Sequence, residues 1–95
     1  MLWEDGVKKS PYNERRYNNL GIAYAKIGRM DEAVGEFQRA IKANPDYALA
    51  YKNLGLAYEK KGLKKEALKK YEEALRIMPN LTEARQGIDR LRGKP

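Results

Sequence analysis

The 95-residue chain contains no cysteine and no histidine, and its only aliphatic alcohols are Ser10 and Thr82. Without thiols there is no disulfide frame, no thiolate metal site and no thiol nucleophile. Without imidazole there is no Ser-His-Asp arrangement and no His/Cys metal site. The carboxylate pairs Asp31-Glu32 and Glu72-Glu73 are adjacent in sequence. On a helix such neighbours diverge by about 100°, so they do not face each other as a general acid and base do. Gly6, Gly21, Gly28 and Gly35 match no phosphate-cradling spacing. No catalytic residue, metal site or cofactor is expected, and the chain reads as a non-enzyme.

Long hydrophobic runs are also missing. None approaches the roughly 20 residues needed to cross a bilayer, and Met1 does not open a basic-then-apolar secretion signal. The expectation is a soluble chain, either cytoplasmic or a soluble domain of a larger protein. Twenty basic residues against 13 acidic ones give a net charge of +7. That balance suits acidic partners, but the two signs interleave as they do on a solvated helical surface. The length allows one small domain with a marginal core.

What the chain does have, it has twice. Tyr17-Asn18-Asn19-Leu20-Gly21-Ile22-Ala23-Tyr24-Ala25-Lys26-Ile27-Gly28 returns 34 residues later as Tyr51-Lys52-Asn53-Leu54-Gly55-Leu56-Ala57-Tyr58-Glu59-Lys60-Lys61-Gly62. Glu32-Ala33 returns as Glu66-Ala67, Phe37 as Tyr71, Ala40 as Ala74 and Pro45 as Pro79. Over the 34 positions from Glu14 to Tyr47, 12 are identical without a gap. The shared residues are aromatic, small and turn-forming rather than charged, so the period encodes a packing rule. It resembles the tetratricopeptide repeat (TPR), with Tyr17 and Tyr51 at the position where that pattern has Trp.

The resemblance implies an all-α fold, a right-handed TPR solenoid of antiparallel helix pairs with a C-terminal capping helix. The expected divisions are a remnant of a preceding repeat (1–13), a first repeat (14–47), a second (48–81), a capping helix (82–92) and a tail (93–95). In the first repeat, helix A is expected from about Glu14 to Ile27, with Tyr17, Leu20, Tyr24 and Ile27 inward. Gly28 ends it, and Asp31 signals the start of helix B. Gly21 and Gly55 sit inside helices, where close approach of helix B is expected to leave no room for a Cβ. Ala33, Ala40, Ala67 and Ala74 are the small residues expected to face them. Counting back one period sets Trp3 and Val7 on Phe37 and Ile41, so residues 2–9 read as the end of an earlier helix B covering the helix that begins near Glu14. A frayed terminus is the alternative. In the last helix, Ala84, Ile88 and Leu91 mark one apolar face, with Arg85, Asp89, Arg90 and Arg92 outside.

In the resembled family helix A lines a concave groove that binds a partner protein or peptide. Carried over position by position, the groove residues are Arg15, Asn18, Asn19, Ile22, Ala25 and Lys26, then Leu49, Lys52, Asn53, Leu56, Glu59 and Lys60. Asn19 and Asn53 share a repeat position, and an amide carries both donor and acceptor for the backbone of an extended peptide. Bonds within the solenoid are the alternative use for them. If they serve the ligand, Asn53→Ala weakens binding at an unchanged melting temperature. The subtype that grips chaperone C-terminal tails is matched at Asn53 alone, which argues against that ligand.

From Glu59 to Arg76 seven basic residues face four acidic ones. Glu66 with Lys70 and Glu72 with Arg76 are spaced to neutralise part of that run. The tyrosines are at core positions, so the stacking half of a nucleic-acid surface is missing. Docking on nucleic acid or anionic lipid therefore ranks below a protein ligand, beside self-association through exposed repeat ends. Residues 2–21 also resemble a junction in bacterial membrane glycosyltransferases, where a multi-pass domain hands over to C-terminal TPRs. That likeness implies a soluble tail attached to the membrane only through a parent protein.

Overall fold

The 34-residue period folds into helix pairs. A computed structural model describes residues 11–93 and holds, among them, five α-helices and no strand. They are α1 Pro11–Lys26, α2 Met30–Ala43, α3 Ala48–Lys60, α4 Lys64–Ile77 and α5 Thr82–Leu91. α1 packs on α2 and α3 on α4; α3 also packs on α2 and α1, and α5 on α4 and α3. The proposed coverage by residues 2–9 lies outside the described residues.

The turns explain why each pair folds back. Gly28 and Gly62 have φ of 83° and 82°, a left-handed conformation that costs glycine little. Arg29 N–H donates to the Tyr24 carbonyl at 2.9 Å and Gly28 N–H to that of Ala25 at 3.1 Å. Leu63 and Gly62 repeat both bonds on Tyr58 and Glu59. This pairing closes the last carbonyls of a helix. After α2, Asp46 N–H donates to Asn44 Oδ1 at 3.1 Å, bending the chain around Pro45.

Two boundaries differ from the sequence expectation. α1 is already helical at Pro11, the first described residue and three before the expected start, and proline is compatible with the first turn of a helix. α2 opens at Met30, and its N-cap, Arg29, makes no side-chain capping bond. Asp31 stands inside the first turn, where the helix dipole favours a carboxylate, and pairs with Lys61 just past α3.

The alanines Ala33, Ala40, Ala67 and Ala74 are fully buried, but they are not what faces the glycines. Aromatic rings are. A Cβ on Gly21 would lie 2.4 Å from Phe37 Cε1, and one on Gly55 would lie 2.8 Å from the Tyr71 ring. Tyr71 meets a second glycine on α5, since a Cβ on Gly87 would come within 2.4 Å of Cζ. Period counting finds the close approach but cannot say which side chain of helix B makes it. The ring reaches further than an alanine methyl and fills the space a Cβ would need.

Two expected core residues are exposed: Leu20 at 43% and Ile27 at 67%. Leu54, one period after Leu20, is 1% exposed because α2 of the preceding repeat packs on it. Leu20 has no such neighbour among the described helices. Ile27 falls in the α1–α2 turn, beyond the helical face. In α5, Ala84 and Ile88 of the expected apolar face are buried and Leu91 is half-buried, with Gly87 buried beside them.

The ring contacts make one substitution opposite in sign at two sites. Gly21→Ala adds helix propensity worth about 1 kcal/mol but overpacks a buried ring at a cost of roughly 1–3 kcal/mol. A net loss of up to about 2 kcal/mol is expected by urea unfolding. Gly35→Ala, with nothing within 4 Å of the new Cβ, should gain up to about 1 kcal/mol in the same assay.

Candidate binding groove

Ile22 and Lys26 are four residues apart on α1, and Leu56 and Lys60 are four apart on α3, so each pair presents one apolar and one cationic group on a single helix face. The two faces meet across a cleft of about 330 Å³. α1 contributes Ile22, Ala25 and Lys26, and α3 contributes Asn53, Leu56, Ala57 and Lys60. Met30 and Phe37 of α2 complete the lining. Phe37 is therefore both the ring held against Gly21 and part of the cleft wall. Period counting gave Phe37 and Met30 no place in the site, because it assigned the groove to helix A alone.

The other expected groove residues divide. Asn18 is 4% exposed, and its Oδ1 accepts a bond from Asn53 Nδ2 at 3.0 Å. It is a buried strut between repeats, not a groove group. Asn53 is 8% exposed and still lines the cleft. Truncating Asn53 would leave Asn18 Oδ1 buried without its donor, a cost of about 1–3 kcal/mol. Asn53→Ala is therefore not the stability-neutral probe that its repeat position predicts. Asn19 is exposed and borders a separate depression with Arg15, Arg16, Leu20 and Ala23. Lys52 reaches across to α5, where its Nζ lies 3.3 Å from Glu83 Oε1. Leu49 is 36% exposed and lines neither space.

Glu59, also expected in the groove, is bound elsewhere. It takes both arms of Arg90, Nε at 2.9 Å and Nη2 at 2.8 Å, and accepts the Tyr71 hydroxyl at 2.7 Å. The bonds from Arg90 hold its carboxyl below the usual value near 4.5. Burial, then the bond to Glu59, pushes the Tyr71 hydroxyl well above its usual value. Arg90 is thus not simply an outward-facing residue of α5.

The network occupies the matching place at the next junction. One period after Ala25 stands Glu59, one after Leu56 stands Arg90, and one after Phe37 stands Tyr71. At the α3–α5 junction these three fill with a polar bridge the place that Ala25, Leu56 and Phe37 leave open and apolar between α1 and α3.

Much of the basic surface is also engaged. Lys61 pairs with Asp31, Arg76 with Glu73 and Arg29 with Glu32. Arg92 meets Glu72 at 3.0 Å, so Glu72 pairs across to α5 and not with Arg76 as its spacing suggests. The Lys70 ammonium sits 5.8 Å from the Tyr51 ring centroid. Lys26 and Lys60 are exposed and make no ion pair among the described residues. No group of side chains suited to hold a metal and no helix long and apolar enough to cross a membrane occurs among the described residues.

A family model described as Tetratricopeptide repeat matches residues 18–86. Among solved structures, the crystal structure of MamA is similar at 34% identity and a TM-score of 0.83, over 85% of this chain and 47% of that one. The chain thus spans about half the length of MamA. The first TPR of Spaghetti (RPAP3), bound to HSP90 peptide SRMEEVD, is 28% identical with a TM-score of 0.82, over 88% of this chain and 67% of that one. The second TPR domain of human RPAP3, in complex with HSP70 peptide SGPTIEEVD, is 26% identical with a TM-score of 0.81, over 84% and 67%. No curated protein matches the chain. The glycosyltransferase likeness of residues 2–21 gains no support from these structures.

The Glu59 bridge sets a pH dependence. A carboxylate with a depressed folded pKa contributes stability that is full above its unfolded value and lost as pH falls through the folded one. Arg90 is half exposed, so the pair is worth no more than a surface pair. Arg90→Gln should cost roughly 0.5–1 kcal/mol at pH 7. The difference between variant and parent should disappear in acid once Glu59 is protonated, as followed by denaturant unfolding across pH.

Proposed function

The chain belongs to the tetratricopeptide repeat family, and on that premise we propose that it is a non-catalytic interaction module that holds a peptide segment of a partner protein in the cleft between α1 and α3. The observation that carries this reading is the asymmetry of the two junctions. The first keeps an apolar cleft of about 330 Å³, within the size range of ligand sites, where the second carries the Glu59–Arg90–Tyr71 bridge. An apolar cleft that the same chain fills at the next junction is a space left for something else.

Ile22, Leu56 and Phe37 would accept an apolar side chain, and Asn53 would meet the ligand backbone. Lys26 and Lys60 would bracket it. The related structures bound to peptides support a ligand of this general kind. They do not extend to its identity. Of the residues with which the chaperone-tail subtype grips its ligand, this sequence keeps Asn53, and Lys52, which fits only in a shifted register, faces Glu83.

A second reading, self-association through the exposed end of the first repeat, is favoured by Leu20, 43% exposed where Leu54 is buried. It concerns a different surface and leaves the cleft available.

Filling the cleft tests the proposal. Ala25→Gln places a longer neutral side chain at a repeat position that already carries Glu59 in the second copy. Twelve-residue peptides selected on the parent protein from a displayed random library should bind this variant at least ten-fold more weakly, with its melting temperature unchanged. Selected peptides that bind parent and variant alike would place the site elsewhere.

A further inference from the structure

The residues lining the cleft also constrain the chemistry of its ligand, a constraint that rests on reading the cleft as a peptide site. Its floor is apolar: Ile22, Ala25, Phe37, Leu56 and Ala57. Among the described residues its only charged lining residues are Lys26 and Lys60, one period apart, so the same cation recurs on both walls. Among the described residues no carboxylate lines it. Neither lysine makes an ion pair among the described residues, and the nearby Glu59 carboxyl, which feels the Lys60 charge, is bonded to Arg90. Two ammonium groups without an ion-pair partner among the described residues, beside a low-dielectric floor, make a field that attracts anions and repels cations.

Asn53 adds a directional constraint. Because its Nδ2 donates to Asn18 Oδ1, the amide is fixed in orientation. Its own Oδ1 is left as an acceptor, suited to a peptide N–H.

The geometry points to a ligand with one aliphatic side chain between carboxylate side chains, taken from within a polypeptide and not from its C-terminal end. The aliphatic group enters between Ile22, Phe37 and Leu56. The flanking carboxylates reach Lys26 on one wall and Lys60 on the other, and a backbone N–H donates to Asn53 Oδ1. Recognition of a chain terminus would need a cluster of donors converging on one carboxylate. Among the described residues this cleft offers two cations, Lys26 and Lys60, and Lys52 is drawn away by Glu83.

The test uses the full chain and a library of random 12-residue peptides displayed without a free C-terminus. Selected sequences should share an aliphatic residue flanked by Asp or Glu. A synthetic peptide from that pool should lose about ten-fold in affinity when its acids become amides. Lys26→Ala/Lys60→Ala should lose about as much with the acidic peptide and bind the amide version no more weakly than the parent does. Capping the peptide's C-terminus as an amide should change affinity less than two-fold. Circular dichroism verifies that the double variant is folded, and if it is not, single Lys26→Gln and Lys60→Gln variants replace it.

Selection of neutral or basic sequences that Ala25→Gln still weakens would overturn the acidic-ligand inference and leave the cleft as the peptide site. A more than ten-fold preference for the free C-terminal acid over the amide would overturn the claim of an internal segment. Failure to select any sequence that Ala25→Gln weakens would defeat both the inference and the proposed site.

Discussion

An aromatic ring of one helix laid against a glycine of the next governs this structure. Phe37 on Gly21, and Tyr71 on both Gly55 and Gly87, draw helix backbones closer than any side chain at those glycines would allow. The mid-helix glycines cost intrinsic helix stability of up to about 1 kcal/mol each. The buried rings offset that cost, since an aromatic side chain removes a large apolar area from water. Phe37 and Tyr71 are accordingly among the largest fully buried side chains, with Leu54 beside Phe37 in one cluster. Phe37 also packs with Leu54 and Ala57 of α3 and lines the cleft.

The same device yields different chemistry at its two uses. Tyr71 ends in a hydroxyl, and Gly87 gives its ring space on the side facing α5. Glu59 is there to accept the hydroxyl bond, and Arg90 holds Glu59. Phe37 ends in a carbon edge, with Ala25 and Leu56 where the acid and base would stand, and the space remains apolar. Repeat proteins are often described as sums of equivalent units and nearest-neighbour interfaces. Here the units are close to equivalent while the interfaces are not, and the proposed function sits at the less complete interface. Polar ties follow the same division, with the buried Asn18–Asn53 hydrogen bond joining α1 to α3 and the more exposed Lys52–Glu83 ion pair joining α3 to α5.

The fold was legible in the sequence because its determinants recur: two glycine turns, two prolines and paired alanines at a fixed period leave few other arrangements. Ile22, Lys26, Leu56 and Lys60 were legible as one surface for the same reason. What a single repeat cannot reveal is the surface its neighbour presents. Leu20 and Leu54 occupy one repeat position, yet only Leu54 has a helix of the preceding repeat described against it. Asn19 and Asn53 also share a position, but only Asn53 faces another helix A with an amide in reach. The Asn18–Asn53 bond joins different repeat positions, so no alignment of one copy on the other exposes it. The Glu59–Arg90 bridge was hidden similarly, its two residues lying 31 apart in the chain.

The central claim is that the first junction binds because it lacks the bridge that fills the second, and transplanting the bridge tests it most directly. Ala25→Glu/Leu56→Arg places in the α1–α3 cleft the pair that Glu59 and Arg90 form at α3–α5. The affinity of a peptide selected on the parent protein, measured by isothermal titration calorimetry beside the melting temperature of each protein, is the deciding quantity. The folded double variant is expected to lose at least ten-fold in affinity. Parental affinity in a variant whose structure shows the transplanted pair formed would contradict it.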